Sequence, residues 1–142
     1  MFTKILVAID GSDISKAAFY KALDMAKLFK AELHTIYVVE SGMMSPGPVD
    51  TTWELIYQRL EQEGSTTMAN LVEEAEKKGV TVTSHLEAGH AGDIIIKTGA
   101  AIGCDLIVMG SLGKSKLDRL LLGSVSSHVV NYAKTNVLIV KK

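Results

Sequence analysis

The sequence predicts an open, doubly wound α/β fold built on a parallel five-stranded sheet. Two observations carry that prediction. Four short runs are nearly continuous in aliphatic and β-branched residues, the pattern of strands covered on both faces. Helical patterns fill the gaps, so strand and helix alternate strictly along the chain, which implies right-handed crossovers. A length of 142 residues fits one domain and leaves little room for two, so a single domain over 1–142 is expected.

The first strand is ILVAI at 5–9, ending in Asp10. A helix follows over 14–29, where Ile14, Ala17, Ala18, Met25, Ala26 and Phe29 recur at three- and four-residue spacing and form one apolar stripe. Ser12 or Asp13 supplies its N-cap oxygen. The second strand is HTIYVV at 34–39. The stretch 40–51 has no periodic pattern and holds both prolines. From 52 to 78 a second helix carries Ile56, Leu60, Leu71, Val72 and Ala75 on one side. Gly64 is a candidate bend or interruption, and Gly79 stops the helix after Lys77 and Lys78. The third strand, VTVTSHLEAG at 80–89, alternates apolar and polar residues and reads as covered on one face, nearer an edge. A third helix runs over 92–103 with Asp93 near its positive end. DLIVMG at 105–110 is the fourth strand. A fourth helix starts near Ser124 and continues through Val129, Val130 and Ala133, and VLIV at 137–140 closes the sheet.

Composition excludes several classes. Fifteen basic residues against sixteen acidic ones give a net charge of −1, so no global positive field exists to hold a nucleic acid. No apolar run approaches the roughly 18–20 residues of a membrane span. MFTKILVAID is too short, and too sharply ended by charge, for a signal peptide. One cysteine, Cys104, excludes an internal disulfide and reads as a small buried hydrophobe. A cytoplasmic protein is expected.

In such a sheet ligands bind beyond the carboxyl ends of the strands, where strand order reverses. The segment after the fourth strand is the most informative. Gly110 and Gly113 follow the strand, Lys114, Lys116 and Arg119 lie between, and Gly123-Ser124 opens the next helix. Glycines let main-chain amides approach an anion, and a helix start adds free N–H donors and partial positive charge. These features suit a polyphosphate. The segment is not a Walker A loop, because Gly110 and Gly113 enclose only two residues before Lys114-Ser115. Asp10-Gly11-Ser12-Asp13 is not the dinucleotide fingerprint either. The four histidines, His34, His85, His90 and His128, show no paired metal spacing, and no Gly-x-Ser-x-Gly elbow offers a nucleophile. A receiver-domain reading of Asp10 fails, because the third strand ends in Glu87-Ala88-Gly89 and lacks an acceptor aspartate.

Gly-x-x-Gly, nine residues, then Gly-Ser, matched by Gly110, Gly113, Gly123 and Ser124, resembles the ATP-binding pattern of the universal stress protein family. The opening KILVAIDGSD and the stretch LLLGSVSSHVVNYAKTNVLIVK resemble the first strand and the C-terminal helix and strand of that family. The resemblance implies a Rossmann-like fold of the adenine nucleotide alpha hydrolase-like type, strand order 3-2-1-4-5. It implies adenine and ribose near Asp10, with Gly11 and Ser12 beside it, and near the backbone of Val38 and Val39. It places the triphosphate along the glycine loop, contacted by Gly113, Gly123 and Ser124, with Met109, Gly110, Lys114 and Val125 also in the nucleotide-binding set. ATP, ADP or AMP is the implied ligand, with Mg²⁺ or Mn²⁺, and an antiparallel homodimer through Val137–Val140 is the implied assembly. One departure is Asn136, where the family often has proline before the last strand.

The function expected is a nucleotide-dependent regulator in stress response that acts on an unidentified protein partner. No catalytic residue is assigned. A slow ATPase or adenine-nucleotide-processing enzyme is one alternative, and a dimeric interaction module without nucleotide is another.

Overall fold

The computed structural model describes residues 1–40, 51–112 and 122–141. The elements are β1 (Lys4–Ile9), α1 (Asp13–Phe29), β2 (Glu32–Glu40), α2 (Thr51–Lys77), β3 (Val82–Gly89), α3 (Ala91–Ile102), β4 (Leu106–Gly110), α4 (Ser124–Tyr132) and β5 (Asn136–Val140). All pairings are parallel, as the sequence predicts, and the strand order is β3-β2-β1-β4-β5, as the family resemblance implies. Among the described residues no helix is long and apolar enough to cross a membrane.

Side chains alternate across each strand, so the sheet supports two apolar layers. On one face Ile5, Val7, Ile9, Leu33, Tyr37, Leu106 and Val108 pack against Phe19, Leu23 and Ala26 of α1 and Met68, Leu71 and Ala75 of α2. On the other, Leu6, Ile36, Ile107 and Met109 pack against Ile95 of α3 and Val129 of α4. The central strands β1 and β4 are accordingly buried on both sides. Cys104 is buried just after α3, and burial pushes its thiol pKa up, which keeps it protonated and unreactive.

Four expectations need correction. Val137–Val140 look like the inner strands in sequence, yet each is only half-buried, because β5 is an edge with neighbours on one side alone. Gly64 neither bends nor interrupts α2. A Cβ there would stand 2.8 Å from the Tyr37 ring, so glycine lets the helix lie close on β2. Ala17 is exposed on α1, whose buried stripe instead runs through Ile14, Ser15, Ala18, Phe19, Ala22, Leu23 and Ala26. Ile56 is 44% exposed, whereas the next residue, Tyr57, packs against the core.

The N-terminal side of the β1–β4 seam is fastened by Asp105. Its carboxylate accepts the amides of Thr3 at 2.8 Å and Lys4 at 3.0 Å and the Thr3 hydroxyl at 3.1 Å. Partial desolvation raises the pKa of this carboxyl, but the donors from Thr3 and Lys4 outweigh it and leave the net shift downward.

Candidate functional site

Strand order reverses between β1 and β4, and the ladder between them stops early. Paired positions run from Ile5–Leu106 to Val7–Val108, while the strands continue to Ile9 and Gly110. On the outer sides pairing persists to Ile9–Tyr37 and Gly110–Val140. A crevice therefore opens at the carboxyl end of the seam, the position at which doubly wound sheets bind ligands.

One wall is the β1–α1 turn. Asp10 Oδ1 accepts the Ser12 amide at 2.9 Å and the Ser12 hydroxyl at 2.5 Å. Ser12 Oγ in turn accepts the Ser15 amide at 3.2 Å and caps α1. Ser15 Oγ donates to the Ser12 carbonyl, and the Asp10 amide donates to Ser15 Oγ. The turn thus holds the half-buried Asp10 with one carboxylate oxygen committed and Oδ2 without a hydrogen-bond partner among the described residues. Above β1, Val38, Val39 and Glu40 extend past Ile9 and pair only with β3, so main-chain groups on their β1 side border the crevice.

The opposite wall is the end of β4 and the start of α4. Gly110 belongs to β4 and serves packing: a Cβ on it would meet Ile14 Cγ2 at 2.9 Å. Its φ is not positive, so backbone conformation does not require glycine there. Met109 is buried against the α3 and α4 layer. The carbonyl of Ser111 gathers the start of α4, accepting the Gly123 amide at 2.6 Å and Ser126 Oγ at 2.8 Å. The amide of Ser111 donates to Val140. Gly123 is the N-cap and, having no side chain, makes no side-chain cap. Its amide is engaged, but those of Ser124, Val125 and Ser126 have no acceptor among the described residues, as a helix start dictates. Ser124 is exposed there and Val125 half-buried. Gly113 and Lys114, with Lys116 and Arg119, lie outside the described residues.

The structure thus brings Asp10, Gly11, Ser12, Val38, Val39, Met109, Gly110, Gly123, Ser124 and Val125 to one end of the sheet. Sequence reasoning missed Ser111 and Ser126, whose only signal was a serine at the third position of α4. It also missed the meeting of His90, Asp93 and His128 where α3 packs on α4, because His128 is remote in sequence. Beside the crevice, sharing Gly11 with it, lies a groove of about 420 Å³ lined by Tyr37, Gln62, Glu63, Thr66 and Thr67.

Comparison with known proteins gives a consistent answer. The family model described as "Universal stress protein family" matches residues 1–141. A universal stress protein of Methanocaldococcus jannaschii is 38% identical over 142 residues, covering 100% of this chain and 84% of that protein. The solved structure of universal stress protein UspA from Lactobacillus plantarum superposes with a TM-score of 0.91 at 26% identity, covering 97% of each chain. A universal stress protein solved in complex with cAMP superposes with a TM-score of 0.68 at 25% identity, covering 99% of this chain and 97% of that one.

Proposed function

We propose that this chain, which belongs to the universal stress protein family, binds an adenine nucleotide in the β1–β4 crevice and acts as a nucleotide-dependent regulator. One observation carries the reading: α4 begins at the crevice with bare amides, a glycine in place of a capping side chain, and an anchor through the Ser111 carbonyl. Such a helix start favours anionic oxygens through its donors and its partial positive charge. In this reading the amides of Ser124 and Val125 and the Ser124 hydroxyl take the phosphates, with Gly113 and Lys114 added by the family resemblance. Asp10, positioned by Gly11 and Ser12, and the main chain of Val38 and Val39 take ribose and base. Met109 and Gly110 floor the site. The cAMP complex of a relative supports the ligand class.

A divalent cation, Mg²⁺ or Mn²⁺, fits this donor set modestly. Such ions bind through one or two carboxylates together with phosphate oxygens and water. Asp10 offers Oδ2, since Oδ1 is committed to Ser12. Bound there, the cation would neutralise phosphate charge.

The half-buried β5 edge supports an antiparallel homodimer through Val137–Val140, because an apolar edge strand presents unpaired main-chain groups to a second copy. The stress-response role rests on the family.

The test is differential scanning fluorimetry of the full chain with ATP, ADP, AMP and cAMP. A ligand at 100 times its Kd stabilises by about 2.7 kcal/mol, several degrees in melting temperature. No shift with any of the four at millimolar concentration overturns the proposal.

A further inference from the structure

Where α3 packs on α4, two imidazoles and a carboxylate converge. His90 precedes α3 and Asp93 lies in its first turn, while His128 comes from α4. His128 Nε2 stands 2.7 Å from Asp93 Oδ1, and His90 Nδ1 stands 3.4 Å from Asp93 Oδ2. One donor atom from each of the three residues can be chosen so that all lie within 4.8 Å of one another. Around a tetrahedral ion with bonds near 2.0–2.2 Å, neighbouring donors stand about 3.3–3.5 Å apart. The 2.7 Å pair would open by about 0.6 Å and a pair at the 4.8 Å limit would close by about 1.3 Å, shifts within reach of side-chain rotation. His90 and Asp93 are exposed, and His90 Nδ1 accepts the Asp93 amide at 3.4 Å as the cap of α3, which leaves its Nε2 without a hydrogen-bond partner among the described residues.

Two features show that the cluster is built into the fold. Gly92, buried in the first turn of α3, leaves the space in which the His128 ring stands: a Cβ at position 92 would lie 2.5 Å from His128 Cδ2. Glycine inside a helix costs about 1 kcal/mol relative to alanine, so a packing reason is required for it. The His128 ring is also backed by Tyr132, with centroids 4.8 Å apart. The start of α3 is tied to β2, because the Ala91 amide donates to Glu40 Oε1 at 3.1 Å. Two of the donors thus ride on a fixed helix start, and the third stands in a space shaped for it.

We propose that His90, Asp93 and His128 form a binding site for a divalent transition metal of the Zn²⁺ class that clasps α3 to α4. Two neutral imidazoles and one carboxylate carry a net charge of −1, and that mixed N,O set suits Zn²⁺ and Co²⁺ better than the all-oxygen surroundings of Mg²⁺ or Ca²⁺. Three protein donors leave a coordination position open to water or to a further ligand. His128 lies one helical turn beyond Ser124, so an ion here fixes the helix whose first amides border the crevice. The site does not depend on the nucleotide reading.

The experiment is titration of the full, chelator-treated chain with Co²⁺ and then Zn²⁺, followed by the visible Co²⁺ spectrum, calorimetry and melting temperature. One ion per chain is expected without nucleotide, with a rise in melting temperature on Zn²⁺ addition. His90→Ala, at an exposed position, and His128→Ala should each weaken uptake by at least about tenfold, the scale on which even groups supporting a metal's ligands act. His85→Gln, outside the cluster, should leave it unchanged. Circular dichroism confirms folding, and His90→Ala serves alone if His128→Ala does not fold. The proposal is overturned by no uptake at one equivalent, by uptake that survives these substitutions, or by uptake that occurs only with ATP present.

Discussion

α1 and α4 begin at the same end of the sheet, on either side of one crevice, and their first turns are finished in opposite ways. α1 is closed by side chains: Ser12 caps it and Asp10 holds Ser12 through both its amide and its hydroxyl. α4 starts on Gly123, which offers no side chain, and its anchor, the Ser111 carbonyl, engages only the Gly123 amide and the Ser126 hydroxyl. A helix start closed by its own side chains is a structural joint. One left open beside a crevice keeps donors for something from outside.

Substitutions that exchange these two finishes test the contrast. The largest effect is expected from Gly123→Asp. At φ −76° and ψ 175° position 123 has the extended conformation of an N-cap, so aspartate there closes α4 and places a negative charge at the proposed phosphate seat. ATP affinity should fall about 100-fold, or about 2.7 kcal/mol, by calorimetry, with ligand-free stability unchanged or slightly raised. Unchanged affinity would mean that the α4 amides are not the seat.

Next comes Gly110→Val, at the strand end between the two helices. A Cβ there meets Ile14 Cγ2 at 2.9 Å and the Ile14 main-chain carbon at 3.4 Å, so overpacking should cost about 1–3 kcal/mol in urea unfolding. Ile14→Ala in the same chain should recover part of that loss, and strict additivity would refute the contact.

Ser12→Ala should lower stability by about 1 kcal/mol through the lost α1 cap. Its effect on ATP affinity should be smaller than that of Gly123→Asp; an equal loss would erase the distinction between the two helix starts.

The smallest effect lies away from both and gives the baseline. Burial, and secondly the neighbouring His34, hold His85 below its ordinary pKa of 6.5, while Glu87 opposes them weakly. A depressed folded pKa gives stability that is complete above 6.5 and is lost as pH falls through the folded value. Urea midpoints should therefore drop slightly between pH 7 and pH 5, and His85→Gln should flatten that slope.

The alternating elements were legible because apolar runs are local signals, and the strand order came with the family resemblance that the glycine spacing carries. The limits are equally physical. ILVAI and VLIV look alike in sequence, but only their neighbours decide that one is buried twice and the other is an edge. Gly64 reads as a breaker until Tyr37, from another element, supplies the ring that requires it. Gly110 stands out in sequence only through its spacing to other glycines, and the crowding by Ile14 comes from another element that no local signal shows. The histidine cluster was invisible because His128 lies 35 positions from Asp93, and only helix packing unites them.

The seam between β1 and β4 joins parts of the chain that are far apart along it. Thr3 and Asp105, which bond across it, are separated by 102 positions. Closing a loop of that size costs about 4 kcal/mol of chain entropy plus a constant, and the contacts that repay it form only once β4 docks. High contact order of this kind slows folding. During synthesis, β1, α1, β2, α2 and β3 emerge from the ribosome before β4 does, with one flank of β1 still bare. The crevice is completed late, and a small molecule that needs both its walls meets only finished copies.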